Sequence, residues 1–207
     1  MIIEDSKYKE FELLISSVQK KPEILCRILH CGTGDKLNNK QDSKPLSYDE
    51  YCLRLKRFLE YFTEITDLGT GYTDKDEKTY LSKNWEMFCD KIEAHNSKLC
   101  QKCFRYSVEP HKDRFGDFKV FRCPIGTWII SVPVFYNRDY LGNVFFGQFL
   151  YTSDLPETTY FNTLIEHYNL DKKAFLKTLN VIPRISKAHE EVLTKLFKLF
   201  LKYLTEI

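Results

Sequence analysis

The chain has 207 residues, 43% hydrophobic and 15% aromatic, which is enough to bury a sizeable core and excludes a disordered polypeptide. Its 31 basic residues against 29 acidic ones leave a net charge of +2, too balanced for a surface built mainly to hold nucleic acid or acidic lipid. The opening MIIEDSKYKEF lacks the basic start and long apolar core of a secretory signal, and no apolar run can span a bilayer, so the chain is expected in the cytoplasm and off the membrane.

Residues 4–30 carry Phe11, Leu14, Ile15 and Val18, then Ile24, Leu25, Ile28 and Leu29 after Lys21-Pro22, all at helical spacing. Proline suits the first position of a new helix, so two short helices are expected. The polar stretch from Cys31 to Pro45 reads as a linker and sets a boundary, which makes 1–45 an N-terminal helical extension. Ser47, with Glu50 three residues on, predicts a helix N-terminus, and Leu53, Leu55, Phe58, Leu59, Phe62 and Ile65 form the helix's apolar stripe up to Asp67-Leu-Gly.

Residues 68–81 alternate around Thr73-Asp-Lys-Asp-Glu-Lys and predict a short hairpin with a charged turn. Helices are expected over 85–93 and 97–108, then strands over 117–123, 127–136 and 140–151, the last two joined by Asn137-Arg138-Asp139. Gly142 and Gly147 inside the last strand mark a bulge or a place where a backbone or ligand comes close. From Ser186 a final helix carries one stripe of Leu193, Phe197, Phe200, Leu204 and Ile207 and a second of Val192, Leu196, Leu199 and Tyr203, with Lys195, Lys198 and Lys202 on the solvated side. Two stripes predict two contacts, one with the sheet and one with a partner subunit of a homodimer or with an output domain; a single wide core face is the alternative. The plan is α+β, an antiparallel five-stranded sheet with helices inserted between strands, plus N- and C-terminal helices. It divides into 1–45, a central domain over 46–185 and a signalling and dimerisation helix over 186–207.

The cysteines are the first candidate site. Seven is an odd number, and persistent disulfides are not expected in a reducing compartment, so clustered cysteines read as metal ligands or buried small hydrophobes. Cys100 and Cys103 are one helical turn apart, a spacing that supplies half of many zinc or iron–sulfur sites, and Cys89 and Cys123 could complete a four-sulfur set. Lys98, Lys102 and Arg122 would stabilise thiolates. The alternatives are that Cys89 and Cys123 are core residues and the pair is incidental, or that the thiols form a redox-switch disulfide.

An apolar pocket is the second. Alternation places Trp128, Ile130, Val132 and Val134 on one face of one strand and Val144, Phe146 and Gln148 on one face of the next, with Trp85, Phe88 and Tyr106 on helices able to close over them. Plain core is the competing reading. Gln148 and Arg122 stand out because a polar side chain amid aromatics needs a partner, and a ligand hydroxyl or carboxylate would supply one.

These residues carry a resemblance. The segments Phe88-Cys89, Cys100-Gln-Lys-Cys103, Phe121-Arg-Cys-Pro-Ile-Gly126, Ser131-Val-Pro-Val134 and Tyr140-Leu-Gly-Asn-Val-Phe-Phe-Gly-Gln148 resemble the PocR sensory domain, over roughly residues 55–180. The resemblance implies a PAS-like fold and a role as the input module of a bacterial regulator, ahead of an AraC-type DNA-binding domain or a histidine kinase, with small hydrocarbon derivatives such as propanediol as ligands. One departure is Pro124, where the family commonly has histidine after the last of these cysteines, so that histidine's role does not transfer.

Enzymatic readings find no support. His30, His95, His111, His167 and His189 stand without a partner at motif spacing, Gly32-Thr-Gly34 lacks the strand and helix of a phosphate loop, and no nucleophile has an evident base. The expectation is therefore a non-enzymatic cytoplasmic sensor that binds a small molecule and meets DNA only through an output domain that this chain does not carry. The alternative is a metal- or redox-sensing domain whose site is the four cysteines.

Overall fold

The computed structural model describes residues 47–76, 78–81, 84–85, 118–123, 125–153 and 158–206. The expected helices of residues 1–45 and 97–108, and that of 85–93 beyond Trp85, lie outside the described residues. Helix α1 spans Tyr48–Thr66, and the Ser47 hydroxyl caps it by accepting the Glu50 N–H at 3.3 Å, as the capping pattern predicts. Asp67 ends it in the left-handed region at φ 58°, donating its N–H to the Thr63 carbonyl at 2.9 Å.

The predicted charged hairpin follows as β1 (Gly69–Asp74) and β2 (Thr79–Leu81). One Asp74 carboxylate oxygen holds its turn by accepting the N–H groups of Asp76 and Lys78 at 2.9 and 2.8 Å. Strand β3 spans Lys119–Arg122, β4 Trp128–Tyr136 and β5 Asp139–Tyr151. Asn137 and Arg138 join the last two at φ 49° and 71°, the left-handed pair that a two-residue hairpin turn requires. Helices α2 (Thr158–His167) and α3 (Lys172–Leu179), a short β6 (Arg184–Ile185) and the long α4 (Lys187–Glu206) complete the order.

The sheet runs β2-β1-β5-β4-β3, all antiparallel, and β6 adds to the end of β5 in parallel. This is the α+β, PAS-like five-stranded sheet expected; the two-residue β6 carries no alternation to read and was not foreseen. Both glycines of β5 sit at irregularities of its pairing with β4. A Cβ on Gly142 would lie 2.1 Å from the Thr73 carbonyl oxygen, and one on Gly147 2.7 Å from that of Trp128. Each irregularity inserts one residue, Leu141 or Gln148, and so reverses which side chains of β5 point to which face.

One face, here the front, is covered by α1 and α4. Phe58, Phe62, Phe146, Phe197 and Phe200 form an aromatic cluster with ring centroids 4.8–5.9 Å apart, and Ile130, Val132, Val134 and Val144 extend it along the sheet. The back face carries a second core of Trp85, Cys123, Ile125, Ile129, Phe145 and Leu150 against α2 and α3. The first stripe of α4, from Leu193 to Leu204, is wholly core, and Ile207 lies outside the described residues. Of the second stripe, Leu196 is buried and Val192 and Leu199 pack partly on the same core; the side chain of Tyr203 is not among those described.

Two predictions follow from this packing. Phe200 is 3% exposed, so Phe200→Glu would bury an unpaired carboxylate at a cost of several kcal/mol; the variant is expected to unfold or aggregate, whereas a folded monomer in sedimentation and circular dichroism would show that the stripe is not core. Burial also pushes the hydroxyls of Tyr51 and Tyr72 well above the ordinary tyrosine range. The unfolded chain loses these protons near pH ~10 while the folded chain keeps them, so stability is full below about pH 10 and falls above it. Urea midpoints followed from pH about 8 to about 11 should drop through that window, and less steeply in Tyr72→Phe.

Candidate functional site

The strand register assembles the back face in rows. Gly71, Phe145, Ser131 and Lys119 are successive partners across β1, β5, β4 and β3; Thr73, Asn143 and Pro133 form the row beside them, and Gly69, Gly147, Ile129 and Phe121 the row on the other side. Directly opposed side chains on one face are about 5 Å apart, so the row geometry gathers Thr73, Ser131 and Asn143 into one patch. All three are polar and at most 1% exposed. Tyr140 borders them: burial raises its hydroxyl's pKa, and a hydrogen bond with the Asn143 side chain pulls it partly back.

Trp85 lies over this face, its ring centroid 4.8 Å from that of Phe145 and its atoms 3.0 Å from where a Cβ on Gly69 would stand. A side chain at position 69 would press on both the backbone and the ring of Trp85. Trp85 is 1% exposed, and its indole N–H has no hydrogen-bond partner among the described residues; the buried Thr127 hydroxyl is in the same state. A buried donor without an acceptor is costly, and a bound molecule with an oxygen acceptor would remove that cost.

A second constellation closes the end of the sheet where β5 meets α4. The Tyr151 hydroxyl donates to Glu190 Oε2 at 2.8 Å, and Lys187 Nζ donates to the same hydroxyl at 2.5 Å and to Glu190 Oε2 at 2.9 Å. Glu190 is 6% exposed despite its charge. Burial pushes the Tyr151 hydroxyl up and Lys187 pulls it partly back, to about 12. Burial opposes the charge on Lys187, but its bonds to Tyr151 and Glu190 outweigh that and hold the ammonium above the ordinary lysine range. Cations and rings continue outward: Lys187 is 3.9 Å from the Tyr151 ring centre and 5.8 Å from that of Trp128, and Arg122 is 5.8 Å from Trp128 and 4.4 Å from Tyr160.

A groove of about 1030 Å³ runs between α1 and β1, lined by residues including Leu55, Leu59, Thr63, Thr70 and Tyr72. Its hydroxyls are turned to the protein. Thr70 donates to the Leu59 carbonyl at 3.0 Å and lies 2.9 Å from the Thr63 hydroxyl, and Tyr72 donates to the Leu141 carbonyl at 2.8 Å. Such groups have little left with which to read a polar ligand.

The predicted pocket residues divide among these regions. Trp85 is on the back face; Phe146 is on the front, 5.1 Å from the Phe62 ring and 4.8 Å from that of Phe197. Trp128 also points to the front, where it meets Arg122 and Tyr151 rather than Trp85. The Arg122 side chain donates to the Gly126 carbonyl at 3.0 Å. Gln148 occupies the bulge, 5% exposed, at φ 59°. Trp128, Ile130, Val132, Val134, Val144 and Phe146 share one face as alternation predicts, and the expected single cavity separates because Trp85 packs on the opposite face. Phe88 and Tyr106 lie outside the described residues, as do Cys89, Cys100 and Cys103. Cys123 is described: it is 2% exposed and its sulfur accepts the Ile125 N–H at 3.3 Å. Among the described residues no group of three or more potential metal ligands comes together, and no helix is long and apolar enough to cross a membrane.

Sequence reasoning missed Thr73, Ser131 and Asn143, which alternation alone does not distinguish from solvated positions. It also missed the Tyr151–Lys187–Glu190 set. One signal was present: Glu190 lies three and seven residues before Leu193 and Phe197, on the apolar stripe of its helix.

No curated protein matches the chain. The family model described as the sensory domain found in PocR matches residues 53–207, three quarters of the chain, and takes in α4 as well as the sheet. The match extends past the end of the segment that carries the resemblance in sequence and includes both the buried polar rows and the Tyr151–Glu190 joint. With its sheet, its inserted elements and its C-terminal helix all inside the matched span, the chain belongs to the PocR sensory domain family.

Proposed function

We propose that this sensory domain is a non-enzymatic cytoplasmic input module that binds a small, oxygen-bearing hydrocarbon derivative on the back face of its sheet. The observation that carries this is the buried indole N–H of Trp85, without a partner among the described residues, on the same face as the buried Thr73, Ser131 and Asn143 side chains. Phe145 and Ile129 supply apolar contact, so a short chain carrying a hydroxyl or carbonyl fits the chemistry of the face better than a large or highly charged molecule. Binding would reach a bacterial regulator's output domain, or a partner subunit in a homodimer, through α4; DNA would be met only by that output domain.

A thermal-shift screen of small diols, alcohols and carboxylates, beginning with 1,2-propanediol, should give at least one stabilising compound. Trp85→Phe keeps an aromatic ring but removes the N–H, and is expected to weaken that compound by about 1–3 kcal/mol. Compounds that bind Trp85→Phe and Ser131→Ala as tightly as the unaltered chain would move the site off this face.

Cys123 supports a second reading, a metal- or redox-sensing site built from Cys89, Cys100, Cys103 and Cys123. The Ile125 N–H directed at the Cys123 sulfur is a contact that a zinc- or cluster-bound thiolate would also accept. Elemental analysis of anaerobically purified protein should then find zinc or iron, and Cys123→Ser should release it and destabilise the fold by several kcal/mol. Metal-free protein of unchanged stability would end this reading.

A further inference from the structure

We infer that Tyr151, Lys187 and Glu190 form a latch through which the back face of β5 acts on α4, with the Gly147-Gln148 bulge between the two. The inference rests on the back-face reading of the ligand site. Strand β5 is the element that both regions share: Asn143 and Phe145 belong to the polar rows, and Tyr151 ends the same strand at the helix.

Beyond the bulge the strand changes partners. Its outer edge pairs with β1 as far as Gly147, and then with β6, where the Leu150 N–H donates to the Pro183 carbonyl and the Thr152 N–H to that of Ile185, each at 2.9 Å. Residue 186 alone separates β6 from α4, and its hydroxyl accepts the His189 N–H at 3.2 Å in the first turn. The end of β5 is therefore tied to the start of α4 twice, once by backbone and once by the Tyr151–Glu190 bond. Packing alone would favour an apolar residue at position 190, since it lies on the stripe that Leu193 and Phe197 continue. A buried carboxylate held by a hydroxyl and an ammonium instead makes an attachment that depends on alignment, because hydrogen bonds lose their strength with small displacements while apolar contacts do not. Gln148, a non-glycine residue at φ 59°, gives the strand a strained joint at which the two sections can shift relative to each other.

The test is a double-variant cycle on the full chain, read by hydrogen exchange in the first two turns of α4 and in α1. Tyr151→Phe keeps the ring against Trp128 and removes the hydroxyl; exchange in residues 187–194 should rise by roughly tenfold, the effect of about one hydrogen bond, with α1 unchanged. Ser131→Val alters the back face without any ligand and should change exchange in residues 187–194 in the unaltered chain but not in the Tyr151→Phe background. Thr73→Val, in the neighbouring row, should behave in the same way, and Glu190→Gln replaces Tyr151→Phe if the latter does not fold. Equal effects of Ser131→Val with and without the Tyr151 hydroxyl, or no effect on α4 at all, would overturn the latch. Coupling in a chain that yields no thermal-shift hit leaves the latch standing and removes only the ligand reading; a hit with additive exchange effects removes only the latch.

Discussion

A strand buried on both sides must divide its side chains between two cores, and the thirteen residues of β5 do so at the centre of this domain. Phe146 and Val144 go to the α1–α4 layer, Phe145 and Leu150 to the opposite core, and the flanking strands follow because register is fixed by what each face buries. The aromatic cluster of Phe58, Phe62, Phe146, Phe197 and Phe200 then locks both long helices onto one side. The other side carries the buried Thr73, Ser131 and Asn143.

Much of this could be read from the chain itself. Period-two alternation located β4 and β5, the Ser47–Glu50 pair located the start of α1, and the charged run after Thr73 located a hairpin turn. The glycines at 142 and 147 were legible as bulges because only a residue without Cβ tolerates the carbonyl oxygens 2.1 and 2.7 Å from where one would stand. What could not be read was the side of the sheet on which Trp85 packs. Alternation puts Phe146 with Ile130 and Val132, where it is found, but it carries no information on which face the segment holding Trp85 covers, and only the parity beyond the inserted Gln148 departs from it. Long-range polar sets were also hidden: Tyr151 and Glu190 are 39 positions apart, and nothing local to either marks the other.

Family membership and local chemistry meet at α4. The matched span runs through this helix to residue 207, and the helix is fastened to the sheet by its apolar stripe and by a buried carboxylate at its first turn. The first contact is broad and tolerant of small shifts. The second is narrow and directional. A helix held in both ways has one end whose attachment depends on alignment, which is what the proposed latch requires.

The bulge at Gln148 gives the chain something like a reading phase. Between Leu141 and Gln148 the odd-numbered Asn143 and Phe145 face the back; after Gln148 the odd-numbered Phe149 and Tyr151 face the front. Without that residue Gly147 and Phe149 would be neighbours opposite Ile129 and Trp128, so Leu150 and Tyr151 would keep their faces and only the irregular joint, with its left-handed Gln148, would be lost. A change of length here is thus milder for the facing of side chains than a Cβ at Gly147, which would meet the Trp128 carbonyl oxygen at 2.7 Å.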